Sequence, residues 1–188
     1  ITVTANTNSI AFNSNGNSTL TISSSTFSNN SGTIFRSDHG STPSNTSDTE
    51  TAYTNRITVT DSDFSSNSGD IFYTERYVKV DNCTFDGNSG YIGNFGGLNR
   101  YQVLNSTFTD NTGSTLFTFS NYHLGTGWSA STLGANHHLF DGNTFSGNTG
   151  TVIDPGPDPS DGSTSYYGSK TTITNNTFEN NGVNWTGA

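Results

Sequence analysis

The chain has 188 residues, of which 28% are apolar, and six Lys+Arg face 15 Asp+Glu for a net charge of −9. So acidic a chain lacks the basic footprint of broad nucleic-acid binding, and no apolar run approaches the ~18 residues of a membrane span. The single cysteine, Cys83, excludes an internal disulfide framework.

Asn, Ser and Thr supply 84 of the 188 residues, an excess suited to turns, stacked polar ladders and short strands. Composition alone would admit disorder. A repeated phrase argues against it. Residues 1–19 open with the strand-like alternations Ile1-Thr-Val3-Thr and Ile10-Ala-Phe12, followed by an Asn/Gly-rich turn at 13–17. From Leu20 onward the phrase Phe-x-x-Asn-x-Gly recurs on Phe27, Phe64, Phe85, Phe108 and Phe145, with a sixth, one residue shorter copy, Phe-x-x-Asn-Gly, on Phe178. Its asparagines are Asn30, Asn67, Asn88, Asn111, Asn148 and Asn181.

Each copy is preceded by a period-2 pair: Leu20/Ile22, Ile57/Val59, Val78/Val80, Tyr101/Val103, His138/Phe140 and Thr171/Ile173. That spacing predicts a short strand with one buried face. A second short strand follows the Gly, at Ile34-Phe35, Ile71-Phe72, Ile92, Leu116-Phe117, Val152-Ile153 and Val183. The Phe-to-Phe intervals are 37, 21, 23, 37 and 33 residues. The short ones match one coil of a solenoid with two or three strands. The expected fold is all-β: a right-handed parallel β-helix (solenoid) of about six to seven rungs, one domain over 1–188, roughly 30 Å long at ~4.8 Å per rung. Phe would stack on Phe, and the Asn would form an amide ladder at a corner. The Gly would allow the positive φ that such a corner needs.

The long intervals imply three insertions, about 36–56, 120–137 and 154–170, all leaving at one corner. Arg56, Arg76, Arg100 and Lys170 precede their Phe by eight or nine residues, so they line that edge, with His137 among them and Arg36 at the start of the first insertion. Two readings stand: local pairing with Asp38, Asp48, Glu50 and Glu75, or a site for an acidic glycan or partner. Aromatics gather near the same corner, Tyr122 and Trp128 among them, suited either to sugar rings or to packing the insertions onto the rod. Asp154, Asp158 and Asp161 beside Gly and Pro could supply oxygen ligands to Ca²⁺, without EF-hand spacing. Otherwise no cofactor is expected. Asp61/Asp63 and Asp81/Asp86 occupy columns held elsewhere by Ser, Thr or Asn, and no carboxylate pair of glycosidase type stands out. The histidines lack metal-ligand spacing, and Cys83 shares a column with Ser25, Ser62 and Ser106, so it reads as a buried small side chain. Outward Thr pairs such as Thr58/Thr60 raise an ice-binding surface, but Lys79/Asp81, Gln102/Leu104 and Leu139/Asp141 break that array. Sequons stand at Asn17, Asn29, Asn45, Asn82, Asn105, Asn175 and Asn184.

The phrases Asn82-Cys-Thr-Phe85-x-x-Asn88, Asn105-Ser-Thr-Phe108-x-x-Asn111 and Asn176-Thr-Phe178-x-x-Asn181 carry a family likeness. They resemble the right-handed parallel β-helix repeats of the pectate-lyase-like superfamily, and most closely the polymorphic membrane protein repeats of surface proteins, over Leu20 to Trp185. The companion Gly-Gly-Ala motif is absent, and Gly-x-Ile/Leu-Phe stands in its place. The resemblance implies a surface-exposed rod used for adhesion or structure. Superfamily enzymes are lyases and hydrolases of acidic polysaccharides, but their clustered Asp and Lys/Arg have no counterpart here, so no catalytic residue is carried over. The expectation is a non-enzymatic extracellular structural or adhesive module of a cell-surface protein or filament, glycosylated at its sequons and assembling with further repeats or copies of itself. A polysaccharide-binding or polysaccharide-degrading β-helix is the alternative. Glycans, or host or cell-surface molecules, are candidate partners. The start at Ile1 is read as a mature or excised piece.

Overall fold

The structure is a computed structural model that describes residues 1–7, 19–37, 56–74, 77–96, 101–120, 137–154 and 170–186. Among the described residues nineteen short strands form three sheets, every pairing parallel. The leading sheet holds β2 (Thr19–Ser23), β5 (Arg56–Thr60), β8 (Tyr77–Asp81), β11 (Tyr101–Leu104), β14 (His137–Asp141) and β17 (Lys170–Thr174). A central sheet holds β1 (Thr2–Thr4), β3 (Thr26–Ser28), β6 (Asp63–Ser65), β9 (Thr84–Asp86), β12 (Thr107–Thr109), β15 (Thr144–Ser146) and β18 (Thr177–Glu179). The trailing sheet holds β4 (Phe35–Ser37), β7 (Phe72–Thr74), β10 (Gly93–Gly96), β13 (Thr115–Ser120), β16 (Thr151–Asp154) and β19 (Val183–Trp185). The chain visits the three in turn, so each coil is one leading, one central and one trailing strand. This is the expected parallel β-solenoid, of six rungs with β1 below them.

Each repeat Phe centres its own three-residue strand rather than lying between strands. Its flanking residues point outward and its ring points in. Two left-handed residues bracket that strand. Three before the Phe stand Ser24, Asp61, Asn82, Asn105, Gly142 and Asn175; two after it stand Asn29, Ser66, Gly87, Asp110, Gly147 and Asn180. With Ala5 of the first strand, these are all the positive-φ residues described. Asn, Asp and Gly tolerate that region best, which explains the composition of both corners.

The glycine closing each phrase is a correction. Gly69, Gly90, Gly113, Gly150 and Gly182 are not among the positive-φ residues. They are required by space. A Cβ on Gly113 would lie 2.8 Å from the Gly90 carbonyl oxygen, and on Gly69 or Gly90 it would lie closer still to the glycine carbonyl one rung below. The rungs touch backbone to backbone there.

Inside, the repeat phenylalanines form one stack. Successive ring centroids lie 4.9, 4.8, 4.8, 4.7 and 4.9 Å apart, and adjacent planes differ by 5–14°. Burying each ring contributes about 1.5–3 kcal/mol, and offset ring contacts add roughly 0.5–1.5. Ile22, Val59, Val80, Val103 and Phe140 fill the leading side. Consecutive buried pairs, such as Ile34-Phe35 and Ile71-Phe72, fill the trailing side. A core only a few side chains across in each coil explains how 28% apolar residues suffice.

Candidate functional site: the insertion corner and the ladders behind it

The corner after the central sheet is closed by the asparagine column. Nδ2 donates to Oδ1 of the next rung from Asn30 to Asn67 (2.9 Å), Asn67 to Asn88 (2.9 Å), Asn88 to Asn111 (3.0 Å), Asn111 to Asn148 (2.9 Å) and Asn148 to Asn181 (2.8 Å). The same Oδ1 also accepts the backbone N–H of the asparagine below, as Asn88 Oδ1 does from Asn67 at 3.0 Å. The second Nδ2 proton goes to the Phe carbonyl one rung down, for example Asn88 to Phe64 at 3.0 Å. Two bonds donated and two accepted satisfy a buried amide fully. These side chains therefore hold the rod and are not available for chemistry.

A second column runs two residues before each Phe. The Ser25 N–H donates to Ser62 Oγ (3.2 Å), Cys83 N–H to Ser106 Oγ (3.1 Å), Ser106 N–H to Asn143 Oδ1 (2.9 Å) and Asn143 N–H to Asn176 Oδ1 (2.8 Å). Cys83 donates through Sγ to the Asp81 and Val59 carbonyls at 3.4 and 3.6 Å. Burial pushes its thiol from an ordinary 9.0 up to about 11, and the nearby Asp61 and Asp81 carboxylates add to the rise. It is a structural thiol, not a nucleophile.

The insertions of the sequence reading connect β4 to β5, β13 to β14 and β16 to β17. Each passes from trailing to leading sheet, so topology brings them to one corner. Arg56 opens β5 and Lys170 opens β17, on one line but four rungs apart, roughly 19 Å. Arg36 lies on the outward column of the trailing sheet, its guanidinium 5.5 Å from the centroid of the Tyr73 ring on the next strand. Beside Tyr73, the half-buried Asp70 accepts the Tyr91 N–H at 3.2 Å. Desolvation raises its carboxyl above the ordinary 3.8, opposed by that bond and one from Asn94. Arg76, Arg100, Tyr122, Trp128, Asp158 and Asp161 lie outside the described residues, as do the sequons Asn17 and Asn45. Asp154 Oδ1 accepts the Thr186 hydroxyl at 3.2 Å. Among the described residues no three His, Cys, Asp or Glu are arranged to hold a metal ion.

Asn29, Asn82, Asn105, Asn175 and Asn184 are exposed. Three of them bond to carboxylates one rung below: Asn82 to Asp61 (2.7 Å), Asn105 to Asp81 (2.9 Å) and Asn175 to Asp141 (2.8 Å). Their sequons follow from the fold itself. The left-handed corner favours Asn, and the outward strand position two residues later favours Thr.

One surface escaped the sequence reading. Of the Thr pairs weighed there, Thr58/Thr60 and Thr172/Thr174 belong to the leading sheet, where Lys79 pairs with Asp81 at 3.7 Å and interrupts them, while Thr2/Thr4 opens the central sheet. The central sheet carries the more regular array. Its outward columns are Thr2, Thr26, Asp63, Thr84, Thr107, Thr144, Thr177 and Thr4, Ser28, Ser65, Asp86, Thr109, Ser146, Glu179. The alternation Thr-Phe-Ser/Thr around Phe27, Phe108 and Phe145, with one acidic replacement around each of the other three, was the available signal.

No protein-family model matches the chain, and neither a curated protein nor a solved structure matches it significantly.

Proposed function

We propose that this chain is a non-enzymatic structural or adhesive module outside the cell, a stiff β-solenoid segment of a cell-surface protein or filament, specialised along the lines of the polymorphic membrane protein repeats. The observation that carries the reading is the saturation of the asparagine column, in which each rung is bonded to the next through both backbone and side chains. Axially repeated bonds resist bending and extension, and they commit the buried polar residues to support. Outward columns of hydroxyls, with exposed sequons at the corners, suit a solvated and glycosylated surface. Antibodies raised against the chain test the reading on intact cells of the source organism. Surface labelling without permeabilisation supports it; labelling that needs permeabilisation overturns it.

Polysaccharide binding or cleavage at the insertion corner is the second reading. It is favoured by Arg36 against Tyr73 beside that corner and by Arg56 at its edge. Gels cast with polygalacturonate, with and without Ca²⁺, would retard the chain, and retardation would fall in Arg36→Ala and Arg56→Ala. Unchanged mobility rejects it.

A further inference from the structure

The leading and central sheets meet at a corner whose left-handed residue is, rung by rung, Ser24, Asp61, Asn82, Asn105, Gly142 and Asn175. The three asparagines each open a sequon: Asn82-Cys-Thr84, Asn105-Ser-Thr107 and Asn175-Asn-Thr177. In each, the asparagine and the threonine are exposed. Cys83, Ser106 and Asn176 between them belong to the inward column. The corner favours asparagine without demanding it, since serine, aspartate and glycine hold it in the other rungs.

A carboxylate accompanies these sequons. Asp61 lies one rung below Asn82, Asp81 below Asn105 and Asp141 below Asn175, and each Oδ1 accepts the Nδ2–H above it at 2.7, 2.9 and 2.8 Å. Beneath Asp61 and Gly142, which open no sequon, stand Ser23-Ser24 and Leu104-Asn105, with no carboxylate. Each bond uses one of the two Nδ2 protons of an exposed side chain. A sugar on Nδ2 replaces the other proton, and the retained N–H still serves the carboxylate. Above Asn105 stands Gly142, where a Cβ would come within 2.8 Å of Asn105 Oδ1, so no side chain covers that amide. Asn82 and Asn105 occupy adjacent rungs, but Asn82 holds the corner residue below it and Asn105 the last residue of β8, which parts their two amides.

We propose that Asn82, Asn105 and Asn175 carry N-linked glycans in single file along this corner, with Asp61, Asp81 and Asp141 holding the linkage amides. The transfer forms the bond from Nδ2 to C1 of an oligosaccharide carried on a lipid diphosphate. It breaks the C1–O bond to that donor, the lipid diphosphate leaves, and the displaced Nδ2 proton passes to a base of the transferase. The inference rests on the extracellular reading and names the modified edge.

The chain purified from its source is treated with peptide N-glycosidase in heavy-oxygen water, which hydrolyses the Cγ–Nδ2 bond and leaves a labelled aspartate at each glycosylated asparagine. Peptide mass spectrometry is expected to find the label at positions 82, 105 and 175. Unlabelled peptides from a chain that stains on intact cells overturn the proposal and leave the surface reading standing. Labelled peptides from a chain that stains only after permeabilisation support the proposal and overturn that reading. A second measurement tests the carboxylates. N-glycosidase acting on the folded chain sets a new carboxylate against Asp61, Asp81 and Asp141, so the urea midpoint falls and added salt restores part of it. An endoglycosidase that leaves the first sugar in place keeps the amides and the midpoint. Equal midpoints after the two treatments overturn the role given to the three aspartates.

Discussion

Replacing Asn88 probes the ladder at its centre. The side chain is fully buried and makes four hydrogen bonds of 2.9–3.0 Å. In Asn88→Ala the Asn67 N–H loses its acceptor, and three further bonds disappear. A buried group left unpaired costs about 1–3 kcal/mol and each further bond about 1, so the expected loss is about 4–6 kcal/mol. Asn88→Asp is the sharper test. At neutral pH it keeps the two accepted bonds but turns a carboxylate oxygen toward the Phe64 carbonyl and Asn111 Oδ1, with its charge desolvated. It should be less stable than the alanine variant. Its native carboxyl binds a proton more tightly than the unfolded one does, so its stability rises as pH falls, and the gap to alanine narrows. Urea unfolding followed by circular dichroism at neutral and acid pH measures both. An alanine loss below about 1 kcal/mol, or an aspartate variant as stable as alanine at neutral pH, would refute the account of the column.

Gly90→Ala should cost more than about 3 kcal/mol by urea unfolding, because its Cβ would strike the Gly69 backbone at an ordinary φ. Gly87→Asn, at φ 62° with open space around it and Asn in the equivalent positions of other rungs, should change stability by less than about 1 kcal/mol. Cys83 should resist thiol reagents in the native chain and react on unfolding. Because its native thiol value lies above the ordinary one, it contributes stability that is lost as pH rises from 9.0 toward about 11. Cys83→Ser should remove that part of the alkaline fall, and an unchanged alkaline profile would contradict this. Asp70→Asn should be more stable than wild type at neutral pH, with the Asn carbonyl keeping the Tyr91 bond, and its advantage should shrink as pH falls into the carboxylate range. A neutral-pH loss would show that the charge is favourable where it stands.

The rung architecture was legible in the sequence because a solenoid is nearly one-dimensional. Each residue meets its counterpart one repeat away, so spacing alone aligns Phe27 with Phe64 and Asn30 with Asn67. The phrase also carried the buried cysteine column, since Ser25, Ser62 and Ser106 occupy it. The closing glycine was misassigned because a sequence shows that a side chain is excluded, but not whether by φ or by a neighbouring backbone. Gly142 and Gly147 answer to the first cause, Gly69 and Gly90 to the second. The hydroxyl face went unread for a related reason. Without the third strand of each coil, the residues either side of Phe had no assigned direction.

By itself, then, the sequence determined the repeat, its register and the stacked core, all of which follow from a period and from residue types that satisfy themselves one rung away. Only the tertiary structure decided which corners bend through left-handed residues and which glycines are pressed by backbone. Those depend on where coils approach in space, and a linear period holds no record of that distance.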